Sequence, residues 1–419
     1  MDRSIAPKIS EHVSLSTLPV EHVILKNGIE IDFVNGGSQE ILKIELIFDA
    51  GSKYQNKSLQ SSLAFDLLLE GTERLSGNDF TEAIDLLGGF LSTETTKDFG
   101  TITVFVLSKY LKETIDLISE MLTKPRVVEE DFNRLLKNSK NNFLINQEKT
   151  SFLAKQALNK RLFADSAYAR VADAASFDDL KHEDVVGFVK QHIVGSGFTT
   201  LVSGMVRDVD VETVKAGFSS LQISNTLKRV VVEKASPKTG IFNIKKENEQ
   251  CSLSIGKLMP NKNHPDTHKI SFVNTILGGY FGSRLMQNIR EDKGWTYGIS
   301  SAVFAFEDAA SLMIGGDVLK DKGAETIDEI RKEILKLQTE LVSDKEMILI
   351  KNYLKGKMLK GFDGAFEQAD RYFTINTFGL KWDFYEDYLK TLETISAEDV
   401  KVIANKYFSF DELVVVTAG

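Results

Sequence analysis

The chain repeats itself. His182-Glu183-Asp184-Val185-Val186 followed by Phe198-Thr199-Thr200-Leu201-Val202 is echoed by Ala397-Glu398-Asp399-Val400-Lys401 followed by Leu413–Val416, at an offset of about 215 residues. Lys137-Asn138 recurs as Lys351-Asn352 at an offset of 214. Two matches at nearly one spacing predict a duplicated unit. The full length is 419 residues, so each half has the size of one hydrophobic core. Runs of strand and helix patterning in both halves predict an α+β fold: two homologous domains, each a mostly antiparallel sheet with helices packed on one side. The expected domains are 1–215 and 235–419. Their junction falls within Met205–Thr239, where Pro237 interrupts the periodicity just ahead of Gly240.

Local signals fill in the halves. Val23-Ile24-Leu25 and Ile29–Phe33 flank Asn27-Gly28, which predicts a hairpin with a type I′ turn. Ile41–Phe48, Thr101–Leu107 and Phe198–Val202 read as strands. Leu59, Leu63 and Leu67 share one helical face, and Asp79–Leu87 is a second helix stopped by Gly88-Gly89. Leu111–Leu122 and Leu180–His192 are further helices, and one long helix is expected from Glu129 to about Arg161. Ser343-Asp344-Lys345-Glu346 has the spacing of a capping box, and Ser396 with Asp399 has a weaker form of it. Val400, Ile403, Ala404 and Tyr407 then form an apolar stripe.

Composition removes several function classes. The net charge of -9 argues against nucleic acid and anionic membranes as partners, since both need a basic face. A single cysteine, Cys251, excludes an intramolecular disulfide and a cysteine-based zinc cluster; a buried inert thiol in a strand is expected there. No apolar run is long enough to span a bilayer, and Met1-Asp2-Arg3-Ser4 opens without a secretory signal, so a cytoplasmic location is expected.

Few residues could carry chemistry. Of six histidines, only His264 and His268 have chelate spacing; Pro265-Asp266 between them reads as a helix start on the surface, and the glutamate of a zincin helix is missing. His12, His22, His182 and His192 sit beside charged or polar residues and are expected to be solvated. There is no Gly-x-Ser-x-Gly elbow and no phosphate-binding Gly-Lys-Ser/Thr loop. Gly278–Arg284 lies between two helical stretches, so it lacks the strand-to-helix setting of a dinucleotide loop. The segment Leu277–Ser300 is more specific. Its helix, with Leu285 and Ile289 four apart, is ended by Gly294, and Thr296–Ile299 begins a strand. A helix–turn–strand reversal can bring Arg290 and Tyr297 to one cleft, offering a guanidinium and a phenol to a peptide carbonyl or oxyanion. Arg290 could equally pair with Glu291 or Asp292, and Tyr297 could be core.

With these residues in hand, the chain resembles the pitrilysin/insulinase-like zinc metallopeptidases, the inverzincins, and within them the short-chain branch that includes mitochondrial processing peptidase subunits. The family's pattern, S-R-L-x-x-x-x-R-E-x-x-G-x-x-Y, is met by Ser283-Arg284-Leu285, Arg290-Glu291, Gly294 and Tyr297. Ala50–Tyr54 resembles the family's segment before its zinc helix, and Glu70-Gly71-Thr72 the segment after it. The His-x-x-Glu-His motif itself is absent. Its positions hold Ser62, Phe65 and Asp66, and the third ligand position falls at about Asn141.

The resemblance implies half of a clamshell: the non-zinc subunit of a heteromeric zinc peptidase, incomplete alone and active when paired. Arg290 and Tyr297 would hold the substrate carbonyl at the zinc of a homologous partner that carries His-x-x-Glu-His. Gly278, Gly279 and Gly282 would allow close approach of a peptide substrate; tight helix packing is the other reading of these glycines. No cofactor is expected on this chain. A homodimer in isolation is possible. The alternatives are a catalytically inactive scaffold or binding protein from the same family, and a self-sufficient enzyme built around His264 and His268.

Overall fold

A computed structural model describes residues 14–224 and 229–419. His12 and Met1–Ser4 lie outside the described residues, as does part of the expected junction. The first half runs β1 (Val20–Ile24), β2 (Glu30–Asn35), β3 (Ile41–Phe48), α1 (Gln60–Leu68), α2 (Gly77–Leu86), β4 (Phe90–Thr95), β5 (Gly100–Leu107), α3 (Leu111–Thr123), α4 (Glu129–Gln147), α5 (Thr150–Leu162), α6 (Ala174–Asp179), α7 (His182–His192), β6 (Thr199–Gly204) and α8 (Asp208–Ser219). The second half runs β7 (Gly240–Ile244), β8 (Gln250–Met259), α9 (Thr267–Gly278), a π-helical segment (Met286–Asp292), β9 (Thr296–Ala305), β10 (Ala310–Leu319), α10 (Gly323–Thr339), α11 (Asp344–Lys360), α12 (Ala365–Thr377), α13 (Asp383–Thr394), α14 (Ala397–Tyr407) and β11 (Val414–Ala418).

The five-stranded second sheet repeats the order of the first, which carries β1 as an additional edge strand. Their strand orders are β1-β2-β6-β3-β5-β4 and β7-β11-β8-β10-β9. In each, the first and last strands of the repeat pair in parallel, β2 with β6 and β7 with β11, and the other pairings are antiparallel. Alternation along the strands sets the buried faces. Ile102, Val104 and Val106 of β5 meet Leu42, Ile44 and Leu46 of β3 beneath α1, α3, α7 and α8. Leu253 and Ile255 of β8 and Leu312 and Ile314 of β10 do the same beneath α9, α10 and α14. Each fully buried Leu or Ile contributes about 1.5–3 kcal/mol.

The opposite sheet faces are covered by exchange. The third helix after β5, α5, packs Ala154, Leu158 and Leu162 against Val414, Val416 and Ala418 of β11 in the other half. The third helix after β10, α12, returns the arrangement, with Ala369, Tyr372 and Phe373 against Val34, Ile47 and Leu201 of the first sheet. Polar contacts fix both. Tyr372 Oη donates to Asp32 Oδ1 at 3.1 Å, Lys43 Nζ to Asp370 Oδ1 at 2.8 Å, and Thr150 Oγ1 lies 2.8 Å from Ser252 Oγ.

This exchange explains one departure from expectation. The long helix expected from Glu129 to Arg161 is two helices. Lys149 leaves the helical region (φ −89°, ψ 122°), and the chain turns so that α5 can cross to the second sheet. Phe143 and Phe152 pack edge to face at 5.7 Å across the bend. The hairpin also differs. Only Gly28 has a positive φ (87°), and its N–H donates to Leu25 O at 2.9 Å, so the loop is a type I turn with a glycine bulge rather than type I′. Asn27 is free to donate to Phe218 O and Leu221 O at the end of α8. Glu346 is not part of a full capping box: Ser343 Oγ accepts its N–H, but its carboxylate goes elsewhere, whereas Ser396 and Asp399 close the complete box.

Candidate functional site

The Leu277–Ser300 segment forms the expected helix–turn–strand. Leu285, Met286 and Ile289 anchor the π-helical segment in the second core. Gly294 at φ 66° ends it, donating to Arg290 O at 3.0 Å while Trp295 N–H reaches Ile289 O. The wider π turn sets Arg290 on the solvent side, where it pairs with Glu291 and lies 4.6 Å over the Phe281 ring. π-helical turns of this kind concentrate at functional positions. Tyr297 is 93% exposed on β9, the edge strand of the second sheet. It is therefore not core. No direct contact between Arg290 and Tyr297 is found among the described residues; what they share is the short reversal that carries both.

The neighbouring residues have assigned places. Arg284 makes a bidentate pair with Glu346 of α11, both bonds 2.9 Å, which fastens the segment's start. Sequence reading missed Glu346 because its spacing from Ser343 assigned it to a cap. Gly278 lies where α9 meets β9: an added Cβ would stand 2.7 Å from Ser301 N, so tight helix–strand packing requires glycine there. A Cβ on Gly279 would meet Thr275 Cα at 2.7 Å, and one on Gly282 the Tyr280 ring at 2.8 Å.

The zinc-helix positions do not fit a metal. Ser62 on α1 donates its hydroxyl to Leu59 O at 3.2 Å. Phe65 is 1% exposed; its ring packs edge to face on Phe48 and fills the space above Gly100 of β5. Asp66 is exposed, and desolvation around its carboxyl, followed by the charge of Glu70, pushes its pKa up. Asn141 lies on the exposed side of α4. One aspartate, an amide, a hydroxyl and a buried benzyl group cannot supply zinc's ligands or a general base. No cluster of three or more His, Cys, Asp or Glu that could hold a metal occurs among the described residues.

The remaining candidates take structural roles. His264 Nδ1 accepts from Asp266 N at 3.0 Å ahead of α9. His268 packs on Phe384 and Tyr388, and burial pushes its pKa down to about 4. His22 pairs with Asp32 at 2.7 Å, and His182 is half-buried against Phe132. His192, expected to be solvated, is 5% exposed: the last turn of α7 faces the core, where the ring stacks on Phe188 at 4.4 Å and Nδ1 lies 3.3 Å from Asp49 O. Cys251 is buried, and burial raises its thiol pKa.

Ala50–Tyr54, just ahead of α1, carries a feature the sequence did not announce. The Lys53 side chain is fully buried between the halves, paired with Asp98 (3.1 Å) and Glu307 and lying 3.6 Å from Asp308. Burial pulls the lysine's pKa down, but the Glu307 bond and the Asp98 charge outweigh it. Tyr168 Oη donates to Asp98 Oδ1, and Arg229 joins Asp308 at 2.9 Å.

The duplicated two-sheet α+β fold, with Ser62, Phe65 and Asp66 where the resemblance places zinc-motif residues, is the architecture expected of that peptidase class. Family models agree. Residues 35–172 match the insulinase model (peptidase family M16), and residues 179–354 match the peptidase M16 inactive domain. The chain belongs to the M16, or insulinase, peptidase family. It is 20% identical over 400 residues to an uncharacterised zinc protease of Bacillus subtilis, covering 94% of this chain and 96% of that one. It is 22% identical over 434 residues to a "probable mitochondrial-processing peptidase subunit beta" of Arabidopsis thaliana, covering 98% and 80%. Its fold matches the crystal structure of a peptidase M16 inactive domain from Pseudomonas fluorescens with a TM-score of 0.88, at 24% identity over 96% of this chain and 98% of that one. A protease from Helicobacter pylori matches with a TM-score of 0.87, at 17% identity over 96% and 100%.

Proposed function

We propose that this chain is the non-zinc subunit of a heteromeric M16 peptidase. Its two domains, 1–215 and 235–419, form one half of a clamshell; a homologous subunit with an intact His-x-x-Glu-His helix forms the other and holds the zinc. In that assembly Arg290 and Tyr297 donate hydrogen bonds to the scissile carbonyl and its developing oxyanion. Gly279 and Gly282 form the wall behind the peptide, and Gly278, buried in the α9–β9 packing, lets that wall sit close to the strand. The observation that carries this reading is the pairing of an almost fully exposed Tyr297 on an edge strand with a zinc helix whose central position is a core phenylalanine. An exposed edge strand also offers backbone groups to an extended peptide.

The test is fluorogenic peptide hydrolysis by this chain alone, by a His-x-x-Glu-His homologue from the same genome alone, and by the two mixed. Activity only in the mixture supports the split site. In that mixture Tyr297→Phe lowers kcat by about 10²–10³ with assembly intact, the cost of losing one oxyanion donor. The second reading, an inactive scaffold of the same family, draws on the Arg290–Glu291 pair, which already neutralises the guanidinium. It predicts no gain on mixing and no effect of Tyr297→Phe.

A further inference from the structure

A cavity of about 350 Å³ opens between α9, α11, α13 and the β9–β10 hairpin. Its chemistry is opposite to that of the whole chain. The protein has 60 acidic against 51 basic residues, yet Lys262, Lys357 and Arg371 line this cavity and no Asp or Glu does. Among the described residues none of the three cations is paired with a carboxylate. Lys262 Nζ lies 5.4 Å from the Phe378 ring and the Arg371 guanidinium 5.6 Å from the Tyr385 ring. Burial pulls Lys262 down to about 8, with Arg371 repelling it further. Asp387, the acidic group felt by His268 in the same wall, is already engaged by Lys390 at 3.0 Å.

A second observation is independent of charge. Asn274 is 7% exposed, lines the cavity, and has a buried Oδ1 with no hydrogen-bond partner. An ionised acid group has no hydrogen to give it, so a water or a ligand O–H or N–H, and not the acid group, would fill this position. The rest of the lining mixes polar side chains, Thr267, His268, Ser271, Thr275 and Ser301, with apolar and aromatic ones that include Leu354, Met358, Phe384 and Tyr388. A concave site that sets aromatic side chains beside converging polar groups suits a small ligand with a charged end and a flat body.

We infer that this cavity binds a small organic anion, its carboxylate or phosphate group between Lys262, Arg371 and Lys357 and its flat apolar body against Phe384 and Tyr388. Both acid groups match a guanidinium and two ammonium donors, and charge-assisted bonds supply most of the selectivity. Gly279 and Ser301 are part of the same wall, so the ligand sits against strand β9.

Isothermal titration of the full chain with 2-naphthoate, 1-naphthyl phosphate and the neutral 2-naphthamide tests this. Saturable 1:1 binding of at least one anion is expected, with the amide at least about tenfold weaker, and the preferred anion identifies the acid group. Lys262→Gln should weaken the anion by about tenfold or more. Lys357→Glu, at an exposed position that does not threaten folding, should weaken it as well. Lys262→Met should raise the ligand-free melting temperature, because it removes an unpaired charge from a half-buried position, and should abolish the anion-induced shift. The inference is overturned if neither anion binds saturably, if the amide binds as tightly, if Lys357→Glu and Lys262→Gln leave the affinity unchanged, or if Lys262→Met lowers the ligand-free melting temperature.

Discussion

Phe65 shows how one side chain can decide a chemical fate. Its ring occupies the place where a Cβ on Gly100 would come within 2.0 Å, so strand β5 and helix α1 are fitted to a benzyl group. Phe65→Ala should cost about 3–5 kcal/mol in urea denaturation, the usual loss for a buried phenylalanine. Phe65→Glu should cost more and should bind no zinc, because Ser62 and Asn141 offer no further ligands. Lys97 makes a pH prediction. Burial pushes its pKa down to about 8 from an ordinary 10.5, with Asp98 opposing. The unfolded chain then holds this proton more tightly than the folded one, so stability should rise as pH climbs from about 8 towards 10. Urea midpoints at pH 7.5 and 9.5 should show that rise in the parent and a smaller one in Lys97→Met. At this scale the sequence was legible where chemistry is carried by residue type and spacing. At the positions that the family resemblance supplies, Ser62 and Phe65 replace the first histidine and the glutamate, and that change is visible in residue type. It was not legible where burial decides: His192 looks polar from its neighbours Gln191 and Lys190, but the rotation of α7 turns it inward.

Helices and strands were read well where periodicity is local and poorly where a distant surface sets the boundary. The helix–turn–strand reversal was recoverable because Leu285, Ile289 and Gly294 mark its face and its end within ten residues, whereas its π geometry was not. The break at Lys149 was not, since the pattern from Glu129 onward stays helical and only the sheet of the other half demands a turn. The same limit explains Glu346, whose role depends on Arg284 in another element. Helix α5 is the sharpest test of the exchange. Leu158→Ala should destabilise by about 2–5 kcal/mol. The damage should register on the second sheet, so amide exchange in β11 should accelerate although the substitution lies in the first half.

Across the whole molecule, the repeat read from the sequence appears as two sheets sharing one five-strand order, and what the sequence withheld is how they are joined. Lys53 lies at that join with carboxylates from both halves around it. Lys53→Met should cost about 3–5 kcal/mol, since it leaves Asp98 and Glu307 buried without their cation. Calorimetry should show one lowered transition rather than a split one, because the pairs it breaks belong to both sheets.

The exchanged third helices also carry a history. A free half-length ancestor would have had one bare sheet face and one helix with nothing of its own to cover. Two copies trading those helices about a two-fold axis would have satisfied both at once, as a domain-swapped pair does. On that account, fusion of such a pair would give a chain of this organisation, joined between α8 and β7. Separately expressed halves cut between those two elements should therefore find each other and reassemble, each supplying the arm the other lacks.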